Sequence, residues 1–240
     1  MRARRPIVGF AAGLVIFLGV AAGLKALLAQ ARADSAAVGQ LALKSALIAV
    51  ALGGWALTGL PFRAMGWRAP TWKGREWAGF VVAAAAMMAA TVVMIFLGAR
   101  HPVASQLSFA QIVGLIWILS SASEEIYVRG FVQSWIEEGS GPRPGGGKSS
   151  PAVVASAGLF AAMHAPLMWS PAGFAGGLTI VLAMLAVGWA CAALRERTGS
   201  LWPAIACHIA ANMAAIPGGI AAVILYRLIL GRMPEFLSTR

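Results

Sequence analysis

The chain has 240 residues, 60% of them hydrophobic and only 11% charged, against about 25% charged in a soluble domain. With a mean hydropathy of +0.79, this composition excludes a soluble globular protein and indicates an all-α polytopic membrane protein, with room for about eight spans of roughly 20 residues. The net charge of +11 does not point to nucleic acid, because the basic residues flank apolar segments, as the positive-inside bias requires, and do not interleave with aromatics on a polar surface.

Eight apolar segments are expected, at about 6–24, 45–62, 77–98, 108–136, 151–168, 172–194, 200–216 and 218–230. The first follows Met1-Arg-Ala-Arg-Arg-Pro. Its apolar run exceeds the ~7–15 residues of a cleaved signal peptide, so it is expected to remain as a span. Residues 61–77 carry Trp67, Trp72 and Trp77 among basic residues and read as an interfacial stretch. With the N-terminus inside, Arg63, Arg68, Lys73, Arg75, Arg143, Lys148, Arg195 and Arg197 fall on the cytoplasmic side. Lys25, Arg32, Lys44 and Arg100 fall in the opposite loops. This bias predicts a multi-pass protein of the plasma (inner) membrane with both termini cytoplasmic, including a tail at 231–240. The run Gly139 to Ser150 is rich in glycine, but a phosphate loop ending in Gly147-Lys148-Ser149 needs a glycine where Pro142 stands. It reads as a linker. Cys191 and Cys207 lie inside apolar segments and read as small packing residues.

The chemistry is concentrated in the second half. Glu124 and Glu125 stand side by side in an apolar run, in a chain with eight acidic residues in all. Each charge at bilayer depth costs roughly 3 kcal/mol on insertion scales, so packing alone does not explain the pair. Asp34 is the single aspartate, which rules out a dyad of two aspartates, and there is no His-Glu-x-x-His or Gly-x-Ser-x-Gly motif. Of three histidines, His101 sits in a short loop beside Arg100, whereas His164 and His208 lie within spans. Phe160 precedes His164 by one helical turn, and Asn212 follows His208 by one turn, so each pair shares a helix face. Counted from the expected cytoplasmic ends of their spans, Glu125, His164, His208 and Asn212 all fall roughly 12–20 Å deep. Scattered structural helices would not produce that coincidence. Arg129, four residues after Glu125, is placed to hold Glu125 ionised. Glu124 lies on another face with no such partner and is expected to exchange a proton, the profile of a general base acting on water.

Glu124-Glu125-x-x-x-Arg129, Phe160-x-x-x-His164 and His208-x-x-x-Asn212, in this order, resemble the three motifs of the CAAX prenyl protease and bacteriocin-processing family. The approach to the third motif, Arg197 to His208, is also similar. The resemblance covers roughly residues 110–225; the first three spans carry no such signature, so the chain divides into N-terminal spans with an interfacial linker over 1–109 and a catalytic membrane domain over 110–230. The resemblance implies an intramembrane endopeptidase acting on a membrane-anchored peptide or protein within the lipid bilayer, with CAAX-like C-terminal processing as one form. It implies Glu124 as the base, Glu125 and Arg129 as its support, His164 on the water, and His208 with Asn212 on the oxyanion, with the open side of the site facing the cytoplasm. A zinc ion held by His164, His208 and Glu125 is the open alternative to a metal-free base. Two other classes stay in view: a catalytically silent peptide-binding or bacteriocin-immunity protein, and a proton-coupled transporter, whose inverted repeat is not visible here.

Overall fold

The computed structural model describes residues 5–31, 35–99, 106–140 and 149–234. Asp34, His101, the glycine-rich stretch 141–148 and the last six residues of the tail fall outside them. The described residues are helical, with no strand. The helices are α1 (Arg5–Gln30), α2 (Ala36–Thr58), α3 (Trp77–Phe96), α4 (Phe109–Glu138), α5 (Pro151–Met163), α6 (Gly173–Thr198), α7 (Trp202–Met213) and α8 (Ala215–Leu230). Their starts are chemically marked. Ser108 caps α4 in a reciprocal capping box with Gln111, and Ser150 accepts from the Val153 N–H at the head of α5, with Pro151 at the first helical position. Left-handed glycines, Gly59 and Gly199, end α2 and α6.

Among the described residues, seven runs are long and apolar enough to cross a membrane, in line with the approximately eight expected, with Trp202–Leu230 counted as one run. The Pro217-Gly-Gly sequence reads as a turn, yet Ala214 keeps right-handed helical dihedrals and Pro217 falls in the first turn of α8, where its missing N–H is tolerated. The result is a kink rather than a reversal. α7 and α8 follow α3 along its length: Cys207 Sγ lies 3.7 Å from the Gly79 carbonyl, Gly218 packs on Met88 and Thr91, and the Tyr226 and Phe96 rings are 5.3 Å apart. Arg5 and Leu230 lie at opposite ends of the helix bundle.

α6 is the central helix, packed on α3, α5 and α7. Lipid offers no hydrophobic drive for this contact, so close approach of small residues carries it. A Cβ on Gly177 would run into the backbone of Leu167 and Met168, just past the end of α5. Gly188 sits against Phe160 and the Ala157 carbonyl. α1 is held to the bundle by Tyr127, whose hydroxyl donates to the Gly13 carbonyl at 2.6 Å.

One end of the bundle is tied shut. Arg68 Nε donates to the Gly199 carbonyl at 2.6 Å, Ser200 Oγ to the Arg68 carbonyl at 2.6 Å, and Arg195 Nη2 to the Ala64 carbonyl at 2.5 Å. Ser134 Oγ donates to the same Ala64 carbonyl. The left-handed turn at Gly66 (φ 88°) brings its carbonyl to the Leu201 N–H at 2.9 Å. Met65 and Leu201 are fully buried beneath it.

Candidate functional site

α4 is not a uniform helix. Its stretches Ile112–Ser120 and Ile126–Gln133 are π-helical, and the α-helical turn Ser121–Glu125 between them carries both glutamates. Such widened stretches often accompany functional positions. Glu124 and Glu125 are both buried.

Glu125 has the partners that the sequence suggested and one more. Its Oε1 accepts from Arg129 Nη1 at 2.9 Å and from His208 Nδ1 at 2.9 Å. Arg129 also donates Nη2 to the Gly188 carbonyl at 2.8 Å, and its guanidinium lies 4.4 Å from the centre of the Phe160 ring. Phe160 is the hub of the site. Its ring centroid is 5.0 Å from that of His164 and 5.2 Å from that of His208, the latter edge-on. One aromatic ring therefore sets the places of both imidazoles and the guanidinium.

Glu124 departs from expectation. Lys44, assigned to an outer loop, lies inside α2, buried, with its Nζ 2.5 Å from Glu124 Oε1. The helix begins at Ala36, ahead of the apolar segment drawn from residue 45. Ser120 Oγ donates to the same oxygen at 2.7 Å. Glu124 thus has a cationic partner after all. Its other oxygen, Oε2, stands 3.9 Å from His208 Nε2. With Glu125 paired to Arg129, the four charges balance within the site.

The histidines are oriented through Nδ1. The contact of His164 Nδ1 is a carbonyl, that of Phe160 at 2.8 Å, so Nδ1–H donates and Nε2 is left as an acceptor. His208 Nδ1 likewise faces a carboxylate, which leaves its Nε2 toward Glu124. Asn212 Nδ2 donates to Ser121 Oγ at 3.0 Å and more loosely to the Ile116 carbonyl at 3.4 Å, tying α7 to α4. Cys191 and Cys207 are free, buried thiols in the packing below.

A cavity of about 670 Å³ opens against these groups, with Lys44, Glu124, His164, His208 and Asn212 on its wall and apolar side chains such as Phe17, Met94 and Ile180 around them. Glu125, Arg129 and Phe160 stand behind that wall. All the residues singled out in the sequence are brought together, and Lys44 and Ser120 join them. The missed signal was Gln40-x-x-x-Lys44, two polar residues one turn apart entering an apolar helix.

Among the described residues, no three His, Cys, Asp or Glu side chains gather as a metal site. Glu125 Oε1 is taken by Arg129 and His208, and a dication beside Glu124 would have to displace a bound ammonium. The donor set does not fit zinc as arranged.

The described geometry has the all-helical membrane architecture that the motifs implied. A family model described as Rce1-like, Type II CAAX prenyl endopeptidase Rce1-like, matches residues 106–214. No curated protein and no solved structure matches the chain. The matched segment contains Glu124, Glu125, Arg129, Phe160, His164, His208 and Asn212. Over this segment, a little under half of the chain, the protein is similar to the Rce1-like CAAX endopeptidases, which supports a CAAX-type intramembrane protease at family level.

Proposed function

We propose that the protein hydrolyses a peptide bond of a membrane-anchored protein or peptide with a water activated by Glu124. The observation that carries this reading is the division of labour between the two oxygens of Glu124. Oε1 is held by Lys44 and Ser120, while Oε2 faces His208 Nε2 across a 3.9 Å gap at the cavity wall.

In this reading Oε2 takes a proton from water as its oxygen adds to the peptide carbonyl carbon. His164 orients the water through Nε2. The tetrahedral oxyanion is met by His208 Nε2 and by Asn212, which releases the long bond to the Ile116 carbonyl to reach it. Donation from His208 Nε2 requires the imidazolium, a fifth charge in the site that faces Glu124 on one side and Glu125 on the other. The intermediate collapses by breaking the C–N bond. Glu124 returns its proton to the leaving amine, and a carboxylic acid and an amine are released, the acid then passing its proton to the amine or to water. Arg129 and Phe160 act through Glu125 and the imidazoles as positioning residues. Lys44 supplies the positive charge that keeps Glu124 an anion in an apolar cavity, the electrostatic part that a metal would otherwise take. The apolar lining suits a lipid-modified or otherwise hydrophobic peptide segment.

The test is cleavage of a peptide library by the reconstituted protein and its Glu124→Gln variant. Turnover by wild type and loss by about 10²-fold or more in the variant is expected. Undiminished cleavage by the variant refutes the base. Peptide bound but uncut by the wild type returns the protein to the class of silent peptide binders.

A further inference from the structure

α2 brings two polar residues to the cavity on one face. Gln40 precedes Lys44 by one turn, and both line the wall. Lys44 is committed to Glu124. Gln40 is half-buried, and its side-chain amide has no hydrogen-bond partner among the described residues. A glutamine in a membrane helix ordinarily bonds a neighbouring helix, and an amide in apolar surroundings without a partner is costly.

The other hydroxyl, amide and ionisable side chains on the wall have partners. Ser120 and Lys44 hold Glu124, His164 is on the Phe160 carbonyl and His208 on Glu125. Asn212 donates to Ser121, and Thr91 Oγ1 to the Met87 carbonyl. Among the described residues of the wall, Gln40 alone has a side-chain donor and a side-chain acceptor that are both without a protein partner.

The packing fixes its level. α2 runs parallel to α4, since Lys44 meets Glu124 and, farther along both helices, Gly54 sits against Phe131. Gln40 therefore stands on the Ser120 and Ile116 side of Glu124, the side on which Asn212 reaches Ser121 and the Ile116 carbonyl from α7. One turn of α2 places it about 6 Å along the helix from Lys44, the length of about two residues of extended peptide.

A free primary amide at that place matches peptide backbone. In an extended chain the N–H and C=O of one residue point to the same edge, as in the hydrogen-bonded pairs of an antiparallel sheet. A glutamine side chain presents an oxygen and an N–H side by side, so it can accept from and donate to that one residue at once. Such a contact grips a segment through its main chain, whatever its side chains.

We propose that Gln40 is a substrate-binding residue, whose amide pairs with the N–H and C=O of one residue of an extended peptide, about two residues from the bond that faces Glu124. The position of that bond rests on the protease reading; the pairing does not. Part of substrate binding then belongs to α2, which lies outside the matched residues 106–214.

The probe is the library peptide that the wild type cuts fastest or, where none is cut, the one it binds tightest. A series of its esters replaces one backbone N–H at a time with oxygen. Affinities are measured in the Glu124→Gln background, so that turnover does not enter, with Gln40 intact and with Gln40→Leu or Gln40→Met. Both replacements are expected to melt as the parent does, because Gln40 holds no protein partner. With Gln40 intact, an ester about two residues from the cut bond is expected to weaken binding about five- to tenfold. In both variants the unmodified peptide is expected to bind weaker by a similar factor, and that ester to cost less than about twofold more. Ester effects that are equal with and without Gln40, or parental affinity in both variants, overturn the inference and leave cleavage by the wild type untouched. A Gln40-dependent ester effect on a peptide that the wild type does not cut removes the protease reading and upholds the amide contact.

Discussion

Lys44 Nζ and Glu124 Oε1 are 2.5 Å apart and 80 positions apart in sequence, so a helix outside the family-matched segment supplies the counter-ion of the candidate base. Removing one partner of a buried pair leaves an uncompensated charge, at a cost of about 3–5 kcal/mol. Lys44→Met is expected to lower thermal stability by that order and turnover at least tenfold. Lys44→Arg is expected to restore much of both. Lys44→Met combined with Glu124→Gln is expected to be more stable than Lys44→Met alone, because the stranded carboxylate is gone. A double variant no more stable than the single one would show that the two side chains are not coupled. Thermal unfolding in detergent gives the stabilities, and kcat and KM measured separately give the catalytic part.

Arg129 is expected to resist conservative replacement. Its two terminal nitrogens serve different acceptors, Glu125 and the Gly188 carbonyl, while its face rests on Phe160. Lysine keeps the charge but cannot make the fork or the flat ring contact. Arg129→Lys is expected to lose about 2–3 kcal/mol of stability and more than tenfold in kcat, with KM little changed. A wild-type melting temperature in this variant would remove the proposed role.

His208 and Asn212 are separable by kinetics. If His208 meets the oxyanion, His208→Ala reduces kcat by about 10²-fold and leaves peptide affinity near wild type. An effect confined to affinity refutes that role. Asn212→Asp keeps the size but removes the donors to Ser121 and to the oxyanion, so it is expected to lose turnover as well.

Turnover is expected to survive treatment with strong divalent-metal chelators, with metal analysis of the purified protein as the companion measurement. The physical reason is the ammonium already bound at Glu124. Loss of activity on chelation, restored by added zinc, would show that Lys44 gives way to a metal.

Glu76, at the mouth of the interfacial loop, makes a pH prediction. Burial pushes its carboxyl up, but the Lys73 N–H at 2.9 Å, its own backbone N–H and the charges of Arg75 and Arg197 outweigh this and hold it below the usual carboxylate range. A carboxylate depressed in the folded state adds stability that is present above the unfolded value of ~4.3 and lost as pH falls through the folded value. The melting temperature is therefore expected to drop as the medium is acidified below about pH 4. Glu76→Gln should melt lower at neutral pH and show a flatter acid limb.

The candidate site residues were legible because polar groups are rare within apolar helices. Glu124, Glu125, His164, His208 and Asn212 each stand out in their segments, and their depths agree. Two features were hidden. Lys44 sits only nine residues into α2, close enough to a helix start to look like a loop cation, and its partner is fixed by tertiary packing that no local pattern records. Pro217-Gly218-Gly219 has the composition of a turn, but a proline in a first helical turn is compatible with an uninterrupted crossing. Local propensity was overridden by the packing of Gly218 on Met88 and Thr91.

The length of the cavity wall along α4 acts as a gauge. From Phe109 to Glu124, α4 climbs 15 residues, a rise of about 22 Å. An extended peptide covers that distance with roughly six or seven residues. A bond reaches Glu124 from Phe109 only if about that many residues of extended chain lie between them, so cavity depth would set a minimum length for any segment the site can cut.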